Sequence, residues 1–172
     1  MKVNVSPAAY QEKSIIRNLM QFYLYEFSSM GDLEIDATGQ FNYRYLEHYW
    51  LESGRHPYLI RVAGRLGGFA LLKRGTYFPH QLESEQQGIQ VAEFFVLKTF
   101  RRQGVGTKAA LDLFPRFPGR WEIAQEPGNH AGQAFWRSLL KAYCGGDFKE
   151  LFLDNESWHG PVQVFDNSSF AD

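Results

Sequence analysis

Apolar residues recur at two different spacings along this chain, and the spacing predicts which segments are helices and which are strands. In residues 7–27 the apolar side chains fall three or four positions apart, as expected of one face of a helix: Ile15, Leu19, Phe22, Tyr23 and Phe27. Ser6 supplies an N-cap and Pro7 the first helical position. A second helix is predicted over residues 43–51, and Gly54 follows its end.

The other apolar runs are short and rich in β-branched or aromatic residues, which is typical of strands. We predict strands at residues 3–5, 58–63, 68–73, 89–97, 120–125, 148–153 and 162–165. Residues 64–67 have the glycines of a hairpin turn, residues 75–87 form a polar loop, and His56-Pro57 is expected to break the chain after the second helix.

Two further helices are predicted between these strands. One covers residues 104–114 and is ended by Pro115, and the other covers residues 129–143 and is ended by Gly145. The order of elements is then β-α-α-β-β-β-α-β-α-β-β. This order predicts the α/β class, with a mixed sheet in an α+β arrangement.

Length and composition favour one intracellular domain. With 172 residues, the chain can bury one sizeable core, so a single domain over residues 1–172 is expected. Lysine and arginine total 18 against 19 aspartates and glutamates, which argues against nucleic acid or membrane as a partner. Cys144 is the only cysteine, which makes a reducing cytoplasm the expected compartment. No apolar run approaches membrane-spanning length, and the first residues do not resemble a signal peptide.

A segment with two glycines follows the predicted strand at residues 89–97. Arg101 and Arg102 precede Gly104 and Gly106, which open the next predicted helix. Glycine lets a ligand approach the backbone closely, and the first helical turn presents unpaired N–H groups that favour an anion. The arginines add positive charge beside those donors. The segment therefore predicts a phosphate-binding loop.

Two common phosphate loops do not fit this segment. Gly104-x-Gly106-x-x-Ala109 satisfies the dinucleotide fingerprint, but six residues separate Leu97 from Gly104, and Glu122 comes too early to be the expected ribose ligand. The Walker A pattern requires Gly-Lys followed by Ser or Thr, whereas Gly106-Thr107-Lys108 has the reverse order.

A third pattern fits. Arg101-x-x-Gly104-x-Gly106 resembles the Q/R-x-x-G-x-G/A pyrophosphate loop of the GCN5-related N-acetyltransferase (GNAT) family, and Asn129-x-x-Gly132-x-x-Phe135-Trp136 resembles the N-x-x-A-x-x-F-Y segment of that family. The matches cover roughly residues 58–152 in the same order of elements. The resemblance implies the acetyltransferase fold, in which the fourth and fifth strands splay apart, and it implies acetyl-coenzyme A as the cosubstrate, with no metal.

The resemblance also implies which residues bind the cofactor. The end of the strand at residues 89–97 pairs with the pantetheine arm and the thioester, the loop binds the pyrophosphate, and the next helix contacts the arm. Carried onto this sequence, the cofactor-binding residues are Phe95, Val96, Leu97, Arg101, Arg102, Gln103, Gly104, Val105, Gly106, Thr107, Asn129 and Phe135. Phe94 and Phe95 are equally typical of a plain core strand, and backbone contact with a cofactor is compatible with that role.

Glu93 is the first candidate for a general base, because it is the only carboxylate within the strand at residues 89–97 and apolar neighbours flank it. Many members of the resembling family place a base on this strand. A pairing with a basic residue, or a position in solvent, would give Glu93 no role in catalysis. Glu26, Asp32 and Glu34 are alternative bases or readers of substrate charge.

The general acid of the resembling family is the tyrosine that closes N-x-x-A-x-x-F-Y, and Trp136 stands at that position here. An indole N–H donates a hydrogen bond but is not a useful acid. Tyr143, seven residues later on the same helical face, is a substitute candidate. The alternatives are that Tyr143 only packs, and that the thiolate leaves unassisted or is protonated by water.

Other chemistries have little support in the sequence. The histidines show no metal-ligand spacing: His48, His56, His80, His130 and His159. No GxSxG elbow is present, and a lone Cys144 at a helix end is usually structural. The expected activity is direct transfer of an acetyl group from acetyl-coenzyme A to a primary amine of a small molecule or peptide, by a monomer or homodimer. The alternative is a sensor or interaction module that binds acetyl-coenzyme A without turnover.

Overall fold

The structure, a computed structural model, describes residues 1–78 and 88–170 and contains the predicted alternation of strands and helices. The strands are β1 Val3–Pro7, β2 Arg55–Val62, β3 Arg65–Arg74, β4 Ile89–Val96, β5 Arg120–Ala124, β6 Lys149–Asp154 and β7 His159–Asp166. The helices are α1 Lys13–Phe27, α2 His48–Leu51, α3 Val105–Leu113 and α4 His130–Tyr143. Most of these bounds agree with the prediction to within a few residues, which confirms the fold class.

The strands form one seven-stranded mixed sheet in the order β1-β2-β3-β4-β5-β7-β6. β4 and β5 are parallel, whereas β1 with β2, β5 with β7, and β6 with β7 are antiparallel. The ladder between β4 and β5 joins Ile89 to Trp121, Gln90 to Glu122 and Val91 to Ile123. β4 then continues to Val96, beyond the last of these pairs.

The chain divides into two compact units. The first unit is Met1–Leu71 with Glu93–Val105, and the second unit is Leu72–Ala92 with Gly106–Asp172. In the first unit, the rings of Tyr23, Phe69 and Phe95 contact one another with centroids 5.6 to 5.9 Å apart. These rings join α1 to β3 and β4, because each comes from a different one of these elements. Aromatic residues make up 16% of the chain, and these three serve packing in the first unit.

The second unit has an aromatic core of its own. The ring of Phe114 lies 5.0 Å from the rings of Trp121 and Phe165 and 4.9 Å from the ring of Tyr143. Phe114 and Trp121 are almost completely buried. These contacts join the end of α3 to β5, β7 and the end of α4, and so fix the helix that follows the candidate phosphate loop.

The first helix begins later than the sequence predicts. Pro7 is the last residue of β1, where it pairs with Tyr58, and α1 begins at Lys13 after a short 3-10 turn at Tyr10–Glu12. The Glu12 carboxylate accepts a hydrogen bond from the Ala9 N–H at 3.0 Å, so Ser6 and Pro7 do not cap the helix. Pairing of β1 with β2 outweighs the local helix signal of Ser6-Pro7. The predicted end at residue 27 is confirmed.

The region between the first helix and the hairpin also differs from the prediction. The second helix covers only His48–Leu51, because residues 44–47 form turns rather than helix. His56 and Pro57 do not break the chain but lie within β2. The hairpin from β2 to β3 is confirmed, with a tighter turn in which Ala63 and Gly64 both have positive φ angles, 49° and 80°. Two such residues are typical of a type I′ turn, which matches the twist of the strands.

The predicted polar loop at residues 75–87 is described only over residues 75–78, and residues 79–87 lie outside the description. Its first residues are anchored by the fully buried Glu122, which accepts hydrogen bonds from the Thr76 hydroxyl and the Tyr77 N–H, both at 2.7 Å. Arg120 balances the buried charge at 2.8 Å. Among the helices in the described residues, none is long and apolar enough to cross a membrane.

Candidate active site

The backbone groups at the end of β4 point alternately toward β3 and away from it. The Leu97 N–H donates to the Gly67 carbonyl at 2.8 Å, which continues the pairing with β3. Successive backbone groups of a strand point to opposite edges, so the N–H and carbonyl of Val96 face away from β3. Gly68 lets this edge pack closely, since a Cβ at Gly68 would lie 1.9 Å from the Phe95 carbonyl oxygen. The N–H and carbonyl of Val96 are therefore the groups at the end of β4 that point away from β3.

Arg101 holds the segment that follows β4. Its Nε donates to the Val96 carbonyl at 2.7 Å, and its Nη2 donates to the two oxygens of Glu26 at 2.9 and 2.8 Å. Its guanidinium also lies over the Phe95 ring. Lys98 approaches the same Glu26 carboxylate at 3.9 Å. Arg101 thus ties the end of α1 to the end of β4, and Glu26 is its ion-pair partner.

The predicted phosphate loop is an exposed turn at the start of α3. Arg102 and Gly104 both have left-handed φ angles, 58° and 73°. A Cβ at Gly104 would meet nothing within 4 Å, so glycine is required here by the backbone angle and by access rather than by crowding within the protein. Gln103 donates to the Thr99 carbonyl at 2.7 Å, and the buried Val105 anchors the first turn of α3. The exposed part of the first turn of α3, from Gly106 onward, presents N–H groups of the kind that an anion requires.

Glu93 lies in β4 ahead of this loop and is partly buried. The Tyr43 hydroxyl donates a hydrogen bond of 3.0 Å to Glu93 Oε1. Because the Tyr43 hydroxyl is a neutral donor, this hydrogen bond orients the Glu93 carboxylate without forming an ion pair. Of the alternative carboxylates, Glu26 is paired with Arg101, while Asp32 and Glu34 are exposed.

Two tyrosines near Glu93 stay protonated over the ordinary pH range. Burial, followed by the negative charge of Glu93, raises the pKa of Tyr43 far above its usual value. The same two causes raise the pKa of Tyr49. The Tyr49 hydroxyl lies close to Tyr43 and Arg55 but has no partner in hydrogen-bond geometry within residues 1–78 and 88–170. Tyr43 and Tyr49 are therefore neutral neighbours of Glu93.

Helix α4, in the second unit, carries the other predicted site residues. The Asn129 side chain caps the helix by accepting a hydrogen bond from the Gly132 N–H at 2.9 Å. Trp136 is buried with 6% of its surface exposed, and its ring contacts that of Phe135. The residue that replaces the tyrosine of the resembling family is therefore a packed core side chain.

Comparison with known proteins gives this arrangement a family. A model of the acetyltransferase (GNAT) family matches residues 24–140, which include Glu93, the loop and most of α4. The chain belongs to the GNAT family of acetyltransferases. The resemblance seen in the sequence is thus confirmed. No curated protein matches the sequence of this acetyltransferase.

Solved structures with low sequence identity share the acetyltransferase fold. A GNAT acetyltransferase from Staphylococcus aureus Mu50 has 18% identity and a TM-score of 0.63 over 96% of this chain and 99% of the other. The PaiA N-acetyltransferase of Thermoplasma acidophilum, in complex with coenzyme A, has 10% identity and a TM-score of 0.60 over 96% and 99%. The ribosomal-protein-S18-alanine N-acetyltransferase of Escherichia coli has 10% identity and a TM-score of 0.57 over 95% and 91%.

The hydrogen bond from Tyr43 predicts a shift in the pH profile of the acetyltransferase. A hydrogen bond to a carboxylate favours its charged form, so in Tyr43→Phe the acidic limb of kcat/KM should move to higher pH by about one unit. The rate at low pH should fall accordingly, and coenzyme A affinity should not change. The matched control is Tyr25→Phe, which removes an exposed hydroxyl of α1. An acidic limb at the same pH in Tyr43→Phe and in the wild type would contradict a link between Tyr43 and the base.

Tyr143 lies in the aromatic cluster of the second unit, 4.9 Å from the ring of Phe114 and 5.9 Å from that of Phe165. It also lines a cavity of about 560 Å³ between α3 and α4, with Leu111 and Phe135. These contacts favour a packing role. In Tyr143→Phe the acetyltransferase rate should stay within about threefold of the wild type, with no change at high pH. A loss of about tenfold to a thousandfold with intact folding would instead establish Tyr143 as the acid.

The sequence does not predict that Tyr43 is the partner of Glu93 or that Glu26 is the partner of Arg101. Tyr43 opened a predicted helix and carried no chemical signal, and it meets Glu93 only because the chain folds back across 50 positions. Glu26 was considered as a base, whereas Arg101, 75 positions later, occupies both of its oxygens. Neither contact has a local pattern that would have predicted it.

Proposed function

We propose that this acetyltransferase moves the acetyl group of acetyl-coenzyme A directly to a primary amine of a small molecule or peptide. The observation that carries the proposal is the hydrogen-bonded Glu93, which precedes the exposed loop at Arg101 to Gly104 on the same stretch of chain. A general base and an anion-binding loop so close in sequence supply two requirements of the reaction, a neutral amine and a held cosubstrate.

The loop has the features needed to hold a pyrophosphate. The first turn of α3 offers the N–H groups of Gly106 and Thr107, and Gly104 leaves the approach to them open. Arg102 is exposed and adds positive charge, while Arg101 fixes the entry to the loop through Val96 and Glu26. Gln103 steadies the turn. The residues present therefore fit the pyrophosphate of coenzyme A.

In this proposal, residues at the end of β4 and on α4 bind the thioester and the pantetheine arm. The Val96 N–H, which faces away from β3, is the donor we assign to the thioester oxygen, and Phe95 and Leu97 shape the backbone on either side. Asn129 caps α4 with its oxygen, and its amide N–H groups are assigned to the arm. Phe135 of the same helix is assigned to the arm by the resemblance to the family.

Glu93 removes the proton of the amine, directly or through water. Acetyl-coenzyme A supplies an activated thioester: the carbon–nitrogen bond forms, the carbon–sulfur bond breaks, the thiolate takes up a proton from water, and Glu93 returns the amine's proton to the water. A covalent acetyl-cysteine has no support in the structure. Cys144 is buried, its thiol donates to the Leu140 carbonyl at 2.9 Å, and burial raises the pKa of that thiol, so it is a poor nucleophile.

A second candidate function is a sensor that binds acetyl-coenzyme A without turnover. Trp136 supports it, because a buried indole has replaced the residue that acts as acid in the family. The leaving group is a thiolate, which is a weaker base than an alkoxide. The loss of a general acid therefore does not by itself abolish transfer.

Initial rates measured against both substrates test the proposal. Thiol release from acetyl-coenzyme A should be screened over small amines, peptide N-termini and lysine side chains, and double-reciprocal plots recorded for the best acceptor. Direct transfer within a ternary complex predicts intersecting lines. Parallel lines would indicate a covalent intermediate, and cofactor binding without release for any amine class would favour the sensor.

A further inference from the structure

A cavity of about 300 Å³ lies in the first unit, between α1 and the segment of residues 36–47. Its polar lining includes Arg17, Gln21, Asp36, Tyr43 and Arg44. Tyr43 belongs to this cavity and also donates its hydroxyl to Glu93. The cavity therefore adjoins the candidate base through one shared side chain.

The wall of the cavity is fixed before any ligand binds. The Gln21 side chain donates to the Phe41 carbonyl at 3.0 Å and accepts from the Phe41 N–H at 2.8 Å. This double hydrogen bond fastens the segment that carries Tyr43 and Arg44 to α1. A preformed wall lowers the ordering cost of binding.

The two arginines of the cavity, Arg17 and Arg44, have more donors than the contacts they make. Lys13 contacts both oxygens of Glu47 at 2.7 and 2.8 Å, and Arg17 reaches only one of them, at 3.3 Å. The Arg44 guanidinium contacts the Tyr45 hydroxyl and ring, and it has no carboxylate partner within the described ranges 1–78 and 88–170. Two arginines therefore have donor capacity left for a ligand.

Asp36 keeps its negative charge, and its own turn holds the carboxylate in place. Its Oδ1 accepts from the Thr38 N–H at 2.7 Å, from the Thr38 hydroxyl at 2.6 Å and from the Gln40 N–H at 3.1 Å. These bonds, the Thr38 hydroxyl first, lower the pKa of Asp36. Glu47 is paired with Lys13. Counted with Lys13, the cavity has three cations against two carboxylates, Asp36 and Glu47, so its excess charge is positive.

We propose that this cavity binds an anionic group of the acceptor, so that the substrate is an amine that also carries a carboxylate or a phosphate. Arg17 and Arg44 bind the anion, and the amine lies at Glu93 on the other side of the Tyr43 side chain. The inference rests on the proposed function, which places the amine at Glu93. Guanidinium groups are suited to carboxylate and phosphate, since their planar fork matches both.

Matched pairs of acceptors test the charge preference. The value of kcat/KM should be at least about tenfold higher for 4-aminobutanoate and 6-aminohexanoate than for their uncharged primary amides, a difference of about 1.4 kcal/mol. O-phosphoethanolamine compared with ethanolamine asks the same of phosphate, and the larger ratio identifies the anion. Equal values within every pair, or a preference for diamines, would overturn the proposal.

Charge-removing variants assign the preference to the cavity. Arg17→Gln and Arg44→Gln should each raise KM for the anionic acceptor about tenfold, with kcat and the KM for the amide changed by less than about threefold. Lys2→Gln is the matched control, because Lys2 is an exposed cation of the same unit that does not line the cavity. An anion preference that survives in both arginine variants would place the anion elsewhere.

A binding measurement separates failure of this inference from failure of the proposed function. Calorimetric titration with 4-acetamidobutanoate, the expected product, should show binding to the wild type and to Lys2→Gln and a loss of about tenfold in Arg44→Gln. Binding of this kind without any turnover would refute catalysis and leave the anion site standing. Turnover of neutral amines without such binding would refute the anion site and leave catalysis standing.

Discussion

Replacing Glu93 with glutamine should lower kcat by about a hundredfold or more and leave the affinity for coenzyme A nearly unchanged. Glutamine keeps the size of the side chain and its ability to accept the hydrogen bond from Tyr43, but it cannot take a proton from the amine. Steady-state thiol release gives kcat and calorimetry gives the affinity. The assay pH must lie below the pKa of the acceptor amine, so that deprotonation limits the reaction.

The control for this variant is Glu34→Gln, which neutralises an exposed carboxylate of the same unit. Its rate should match that of the wild type. If Glu93→Gln keeps its rate within about threefold, another group is the base, and a large loss in Glu34→Gln would identify that group.

Replacing Gly104 with valine should remove most of the affinity for coenzyme A, by about a hundredfold or more. The φ angle of Gly104 is +73°, which costs a β-branched residue about 1 to 2 kcal/mol, and a branched side chain would hinder the close approach of a phosphate to the backbone. Calorimetric titration with coenzyme A measures the loss, and thermal unfolding shows whether the variant is folded.

Gly64→Val separates strain from binding. Gly64 has a φ angle of +80° and open space around its missing Cβ, as Gly104 does, but it lies in the hairpin turn from β2 to β3. It should lose a similar amount of stability and keep its affinity for coenzyme A. Equal affinities in Gly104→Val and the wild type would exclude the loop as the pyrophosphate site.

The elements near the loop were predictable because their signals are local. β4 and α3 begin and end within one residue of the prediction, since a dense apolar run, the two glycines and Pro115 mark their bounds. The start of α1 was not predictable. Ser6-Pro7 is a good helix start in isolation, and only the pairing of β1 with β2 makes Pro7 part of a strand.

The candidate site divides in the same way. The loop from Arg101 to Gly106 follows from a short motif whose backbone demands are readable, and the positive φ angle of Gly104 agrees with it. The contacts of Glu93 and Arg101 with Tyr43 and Glu26 depend on how distant segments pack. Such contacts decide which carboxylate accepts a hydrogen bond from a tyrosine and which is paired with an arginine, and no spacing along the chain reports them.

A mass balance of the reaction tests the central claim most directly. The protein, acetyl-coenzyme A and the best amine of the acceptor screen are incubated together, and both the free thiol and the N-acetylated amine are quantified. The account predicts that they form in equal amounts, at a rate proportional to the wild-type protein and lowered about a hundredfold in Glu93→Gln. It would be contradicted by a protein that binds coenzyme A yet forms no N-acetylated amine from any class of acceptor.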